Sequence, residues 1–326
     1  MDNNSITTKD VTFKVFRFNS ETDYLPTYKE YKMEVTSEEV VLDILDRIKW
    51  DIDGSFSYRR SCRHGICGAC AIKVNGKATL ACKMNLHSLT ETFGDELTIE
   101  PQSTKRAVKD MIIDKADFWE KHAKITPYLN SEIEEHPDME CVVSIEENDR
   151  IMEADLCIQC GACHYACPVV EINEQFIGPA AFVKAYRFEA DIRDESHIER
   201  LEECALPDQG VWDCVKCFEC AEACPKEINP IEKITALHQM IFKDKVYKNG
   251  VAERHAVGFA HSIKKHGLLD EGQLVLYSEG PSIVKHIPVA LQMFKKGKIV
   301  MPWNMPKSDN LDEIQKLIKS SSTTKY

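Results

Sequence analysis

Two runs of cysteine constrain this chain more than anything else in it. Cys157-Ile158-Gln159-Cys160-Gly161-Ala162-Cys163 closes on Cys167-Pro168, and Cys214-Val215-Lys216-Cys217-Phe218-Glu219-Cys220 closes on Cys224-Pro225. Both read C-x2-C-x2-C-x3-C-P, the spacing of chains that hold two iron–sulfur cubanes, in which the fourth cysteine of each run ligates the other cluster. One [4Fe–4S] cluster is therefore expected on Cys157, Cys160, Cys163 and Cys224, and a second on Cys214, Cys217, Cys220 and Cys167. Three cysteines at intervals of three bring their thiolates to one side of a single loop, and the fourth forces the two runs together. Zinc also uses C-x2-C pairs, but it needs two of them and has no use for a third cysteine and a C-P closure in each copy.

Fourteen cysteines in 326 residues could suggest a disulfide framework, yet such frameworks belong to short secreted chains. Thirteen of the fourteen lie between Cys62 and Cys220 in clusters, which favours metal. Met1 to Asn19 has no apolar core of the secretory type, so no signal peptide is expected there. No apolar stretch reaches the ~18 residues of a membrane span. A net charge of −12 argues against nucleic acid as a partner.

From the N-terminus, Val11 to Phe18 alternates as a strand does, and Tyr31, Met33 and Val35 repeat the pattern. Thr36 with Glu39 reads as a capping box for a helix whose inner face is Val41, Leu45 and Ile48. Then come Cys62, Cys67 and Cys70, spaced C-x4-C-x2-C, and a distant Cys82: the plant-type [2Fe–2S] pattern. Gly65 and Gly68 suit a loop curled around a cluster, and Asn75-Gly76 between short apolar runs is a hairpin signal that returns Cys82 to the same place. With a last strand at Leu97 to Glu100 this describes a β-grasp ferredoxin domain. Four unrelated buried cysteines are the alternative, and the spacing speaks against it.

Ala107 to Lys124 reads as helical, and Pro127 to Asn148 is polar and acidic. Gly178-Pro179 opens a helix through Ala190. Asn229 caps and Pro230 begins another helix, with Ile231, Ile234, Leu237 and Ile241 as its apolar stripe. Amphipathic helices follow at Glu253 to His266 and Asn310 to Lys319, and Ser320 to Tyr326 is expected to be a disordered tail. The expected fold class is α+β: a β-grasp [2Fe–2S] ferredoxin domain over 1–106, a helical and acidic linker over 107–148, an all-α two-cluster ferredoxin domain over 149–245, and a helical C-terminal extension over 246–326.

One plant-type cluster followed by two bacterial-type runs resembles the iron–sulfur subunits of the succinate dehydrogenase and fumarate reductase family. Further words carry the resemblance: Tyr58-Arg59-Arg60-Ser61-Cys62, Gly178-Pro179-Ala180-Ala181, Ala185-Tyr186-Arg187-Phe188 with Asp191, Arg193 and Asp194, and Cys224-Pro225-Lys226 with Asn229-Pro230. The resemblance implies an FAD-containing flavoprotein partner beside the [2Fe–2S] cluster, with the other clusters carrying electrons toward a membrane anchor. No catalytic residue is expected in this chain, since the hydride step belongs to a flavin.

Three departures from the family pattern stand out. The position matching Cys217 is usually not cysteine, which gives most members a [3Fe–4S] third cluster; here the run is complete and a second [4Fe–4S] is expected, with [3Fe–4S] and a spare Cys217 as the alternative. The tryptophan and histidine usual in the family's quinone pocket are missing from Val169 to Phe176 and from Val215-Lys216. The tail through Ala290-Leu291 and Lys295-Lys296-Gly297-Lys298 is similar to the C-subunit of heterodisulfide reductase. Together they resemble the branch of methylmenaquinol:fumarate reductases, whose anchor is a cysteine-rich CCG-type subunit and whose electrons come from a menaquinone-type quinol. His64 is expected to be a non-ligand beside a complete cysteine set, and Cys141 and Cys204 are given no role.

The expected function is an electron-transfer subunit, peripheral to the cell membrane through its complex. The periplasmic face is the expected side, because flavoproteins of that branch resemble exported twin-arginine proteins; the missing signal leaves the cytoplasmic face open. The competing readings are a subunit of a thiol-linked fumarate reductase and a free ferredoxin-like carrier.

Overall fold

The computed structural model describes residues 7–131, 141–246, 250–298 and 305–321. Within them, strands β1 (Thr8–Arg17) and β2 (Thr27–Thr36) form an antiparallel pair with Phe13 opposite Tyr31. Strand β5 (Glu96–Glu100) runs parallel to β1, and β3 (Ala71–Val74) joins its other side, paired in turn with β4 (Lys77–Leu80). The order β2-β1-β5-β3-β4 places the one parallel contact at the centre. Alternation sets the faces: Val11, Phe13 and Val15 point inward, as do Tyr31, Met33 and Val35. Helix α1 (Val41–Arg47) lays Val41, Leu42, Ile44 and Leu45 on that core, and α2 (Leu86–Phe93) adds Leu86 and Leu89. Each such buried side chain contributes roughly 1.5–3 kcal/mol of transfer free energy.

The Asn75-Gly76 turn is as the sequence predicts, with φ of 48° and 77° and β3 and β4 on either side. Thr36 does pair with Glu39, whose carboxylate accepts from the Thr36 amide at 2.7 Å, but this closes the turn ahead of α1. The residue that caps α1 is Val40, whose amide donates to Asp43 at 3.0 Å.

The helix expected over Ala107 to Lys124 is half wrong. Ala107–Lys109 (β6) and Ile112–Ile113 (β7) form a small hairpin, and only Ala116–Ala123 (α3) is helical. Asp110, at φ 49°, makes the turn. Its carboxylate accepts from Arg17 Nε at 2.9 Å and from the amides of Phe18 and Ser57 at 3.2 and 2.8 Å. Those partners are distant in sequence, so local periodicity could not report them.

Beyond α3 every described element is helical: α4 (Ile145–Asp155), α5 (Ala162–Tyr165), α6 (Pro168–Ile172), α7 (Pro179–Glu189), α8 (His197–Cys204), α9 (Glu219–Glu222), α10 (Pro230–Asp244), α11 (Val251–His266), α12 (Glu271–Glu279), α13 (Ile287–Lys295) and α14 (Leu311–Ser321). Pro179 occupies the first turn of α7 as expected. Asn229 does not cap α10 with its side chain: it sits at φ 54°, and its buried amide oxygen has no partner. The stripe Ile231, Ile234, Leu237 and Ile241 is buried. Helix α14 runs through Ser320 to Ser321, so the expected tail shortens to residues 322–326, which lie outside the described residues, as do 132–140 of the acidic stretch.

The described residues fall into two compact units, within Met1–Ser196 plus Val215–Ile234 and within His197–Cys214 plus Thr235–Tyr326. In the first, α4 packs on α7, and α5 on α7 and α9. In the second, α11 packs against α12 and α14. There Gly258 permits the close approach, because a Cβ would lie 2.7 Å from that of Tyr277.

Candidate iron–sulfur sites

The loop Cys62 to Cys70 turns through three residues with positive φ, Arg63, Gly65 and Gly68. Those turns aim amides at sulfur: the His64 and Cys67 amides lie 3.3 and 3.4 Å from Cys62 Sγ. Hydrogen bonds from His64, Ile66 and Cys67 lower the half-buried Cys62 thiol to about 6, which favours its thiolate. Cys70 is the opposite: burial, with Cys82 beside it, pushes its thiol up to about 12. Strand register explains that neighbour, since Ala71 opposite Leu80 brings the residues flanking the hairpin together. At the back of the loop, Asp46 accepts from Tyr58, Arg60 and Arg63 and so holds the arginine-rich approach to Cys62. His64 is exposed and contributes its amide.

In the first bacterial-type run, Cys157, Cys160 and Cys163 line one small open pocket together with Cys224. Its other walls include Ala180, Val183, Ile228 and Pro225. Burial raises the thiols of Cys157, Cys160 and Cys163, and nearby thiolates add to the effect on each. A group that takes four thiolates and tolerates apolar walls fits this cavity; an [Fe–S] cubane is such a group. The sequence repeat is also a backbone repeat. Gln159 and Lys216 hold the same place in the two runs with φ of 51° and 54°, and Gly161 and Phe218 the next, with 90° and 68°. Of the second set, Cys167, Cys217 and Cys220 lie in the first unit, where Cys217 is exposed and its thiolate acts on Cys167. Cys214 ends the segment His197–Cys214 of the other unit. Cys141 is exposed and Cys204 fully buried.

The two kinds of cluster loop touch. A Cβ on Gly68 would meet the Cα and Cβ of Cys160 at 2.9 Å, and Cys160 and Ala162 belong to the same buried core as the sheet. Gln102, 3% exposed, donates to the carbonyls of Ala71 and Cys160, each at 3.1 Å. Lys115 Nζ reaches the Cys160 carbonyl at 2.7 Å, and burial lowers its pKa. Reading the sequence missed both residues; neither belongs to a motif, and only the fold brings them to the loop.

Reading the sequence also missed His164, 1% exposed, with Nε2 3.2 Å from Asp117, which itself pairs with Arg106 at 2.8 Å. Burial lowers its pKa to about 4, so the ring is neutral. It stands edge-on to Phe118, and a Cβ at Gly178 would press on its Nδ1 at 3.0 Å. The words Arg187, Asp191 and Arg193 form one ionic knot at the end of α7: Arg187 spans Asp155 at 3.0 Å and Asp191 at 2.6 Å. Burial works to raise Asp191, but hydrogen bonds from Arg193 and Arg187 hold it down to about 2.

A β-grasp sheet with a four-cysteine loop, followed by paired cubane runs, defines a multi-cluster iron–sulfur protein of the ferredoxin type. Comparison with known proteins agrees domain by domain: residues 12–120 match the family model for a 2Fe-2S iron-sulfur cluster binding domain, and 153–228 that for a 4Fe-4S dicluster domain. The chain is 35% identical over 231 residues to a succinate dehydrogenase iron-sulfur subunit of Paracoccus denitrificans, covering 70% of this chain and 87% of the relative. It is 31% identical over 291 residues to the 8-methylmenaquinol:fumarate reductase iron-sulfur subunit of Wolinella succinogenes, covering 88% and 90%. Its fold matches a chain of the Mycobacterium smegmatis Sdh1 complex with a TM-score of 0.63 at 25% identity, over 74% of this chain and 99% of that one. The chain belongs to the family of succinate dehydrogenase and fumarate reductase iron–sulfur subunits. Among the described residues no helix is long and apolar enough to cross a membrane.

Proposed function

We propose that this subunit relays electrons between a menaquinol-linked, CCG-type cysteine-rich anchor and the FAD of a fumarate reductase flavoprotein, peripherally at the membrane. The ligand sets are Cys62, Cys67, Cys70 and Cys82 for [2Fe–2S], Cys157, Cys160, Cys163 and Cys224 for [4Fe–4S], and Cys167, Cys214, Cys217 and Cys220 for a second [4Fe–4S]. The sheet domain over 1–106 and the helical domain over 149–245 are the bodies that hold them. Bound clusters supply one-electron steps; the chain's own residues hold them close, orient the loops and exclude water.

The observation that carries the reading is the contact of Gly68 with Cys160, which leaves two cluster loops with nothing between them. The branch is supported by the reach of the Wolinella match, 291 residues against 231 for the Paracoccus relative. Exposed Val215 and Phe218 beside the second run offer apolar surface for an anchor; in the other unit, α13 by itself exposes Val289, Leu291 and Phe294.

Affinity purification of the tagged chain from membranes, with partners identified by mass spectrometry, tests it. A flavoprotein and a cysteine-rich subunit are expected. A haem-bearing transmembrane anchor without a cysteine-rich partner would overturn the branch, and recovery of the chain alone would leave a free carrier.

A further inference from the structure

Two donors converge on a single carbonyl, that of Cys160. Lys115 Nζ approaches it at 2.7 Å and Gln102 Nε2 at 3.1 Å, while Gln102 also holds the Ala71 carbonyl next to Cys70. The charged groups that face Lys115 are Cys160, which attracts it, and Arg59, which does not. The Phe118 ring lies 5.8 Å below the ammonium. Among the described residues no carboxylate forms an ion pair with Lys115, although the chain carries 53 Asp and Glu. A half-buried cation without a counter-ion is unfavourable unless something nearby is negative. Four thiolates around an iron–sulfur core are negative overall, and become more so by one charge on reduction.

We propose that Lys115 and Gln102 are positioning residues that raise the reduction potential of the cluster on Cys157, Cys160, Cys163 and Cys224. The inference rests on that ligand assignment. Hydrogen bonds and net charge at a cluster are among the determinants of its potential, and at the backbone of one ligand Lys115 places a positive charge and Gln102 the positive end of an N–H dipole. The reduced state gains more from it than the oxidised state. One electron enters, supplied in the test by dithionite; no bond forms or breaks and no proton moves.

The test is a redox titration of the anaerobically purified, iron-loaded chain, followed by electron paramagnetic resonance. Lys115→Met should lower the ratio of reduced to oxidised cubane about tenfold at fixed poise, which is ~59 mV for one electron. Lys115→Arg keeps the cation and should restore most of the shift, which a merely structural role would not do. Gln102→Leu should move the midpoint the same way by less. The [2Fe–2S] midpoint should stay put in the Lys115 variants. A fully loaded Lys115→Met protein with an unmoved cubane midpoint overturns the proposal; so does a shift of equal size in Lys115→Arg. Should the Met variant not load, Lys115→Gln keeps a donor without the charge and decides by the same criterion. Wild-type protein lacking that cubane by iron analysis would instead sink the ligand assignment.

Discussion

The two regions that carry cysteine are built on opposite plans. The N-terminal loop hangs from a sheet whose core is drawn mostly from Val11 to Met111, with Cys160 and Ala162 at its edge, so its scaffold is formed largely by hydrophobic burial before any cluster is considered. Its thiols divide, with Cys62 held near 6 by amides and Cys70 pushed to about 12 by burial. In the helical region the thiols face a cavity, and Ala154, Val183 and Ile228 make one small core beside it, with Cys157 and Cys224 packed on its edge. A cluster bound there would fill space between these thiols, in a region that also buries side chains such as Phe176 and Phe182. Cluster binding and folding are therefore expected to be separable in the first region and coupled in the second.

The sharpest way to break that comparison is to remove the iron. After anaerobic chelation, hydrogen exchange should show α4, α5, α7 and α9 exchanging freely while β1, β3 and β5 stay protected. Equal loss of protection in both regions would erase the distinction. Next in size is Gly68→Ala, which adds a Cβ 2.9 Å from Cys160 and places alanine at φ 67°. Strain and overpacking together should lower stability by on the order of 2 kcal/mol or more, read by denaturant unfolding of the loaded protein. The cubane, in the coupled region, should be lost before the [2Fe–2S] cluster.

Smaller and more local is Cys217→Ser. With twelve ligands the iron count should be ten, from two plus four plus four, and the variant should hold nine with a [3Fe–4S] signal in the oxidised state. Wild-type protein that already shows a full spin of that signal would remove Cys217 from the ligand set. The smallest effect is one of pH in cluster-free protein. Cys62 has a folded value near 6, below its ordinary 9.0. Its thiolate therefore favours the folded loop fully above pH 9, and that contribution is lost as pH falls through about 6. Iodoacetamide labelling of Cys62, followed by mass spectrometry, should be half-maximal near pH 6, whereas Cys70 should resist labelling at any pH well below about 12. Labelling of both with one midpoint would show that the loop collapses without its cluster.

What could be read without coordinates was whatever repeats or alternates locally. The strands, the Asn75-Gly76 turn, the start of α7 and the cysteine sets all announce themselves within a few residues. What could not be read depended on partners far along the chain. The Asp110 turn is fixed by Arg17, Phe18 and Ser57, so a stretch with helical composition became a hairpin. Asn229 has the right chemistry for a cap, but its φ of 54° turns the side chain away from that role. Gln102, Lys115 and His164 gain their meaning only from burial beside cysteine loops, a signal that composition does not carry.

The absence of a side chain at Gly68 also bears on timing. Electron tunnelling falls off steeply with distance, so a step across a hinge would wait for the hinge to close. With Gly68 already against Cys160, no hinge is expected between these two loops. Transfer between the first two clusters should then be indifferent to solvent viscosity, and any viscosity-dependent step would lie at the surfaces where partner subunits meet this one.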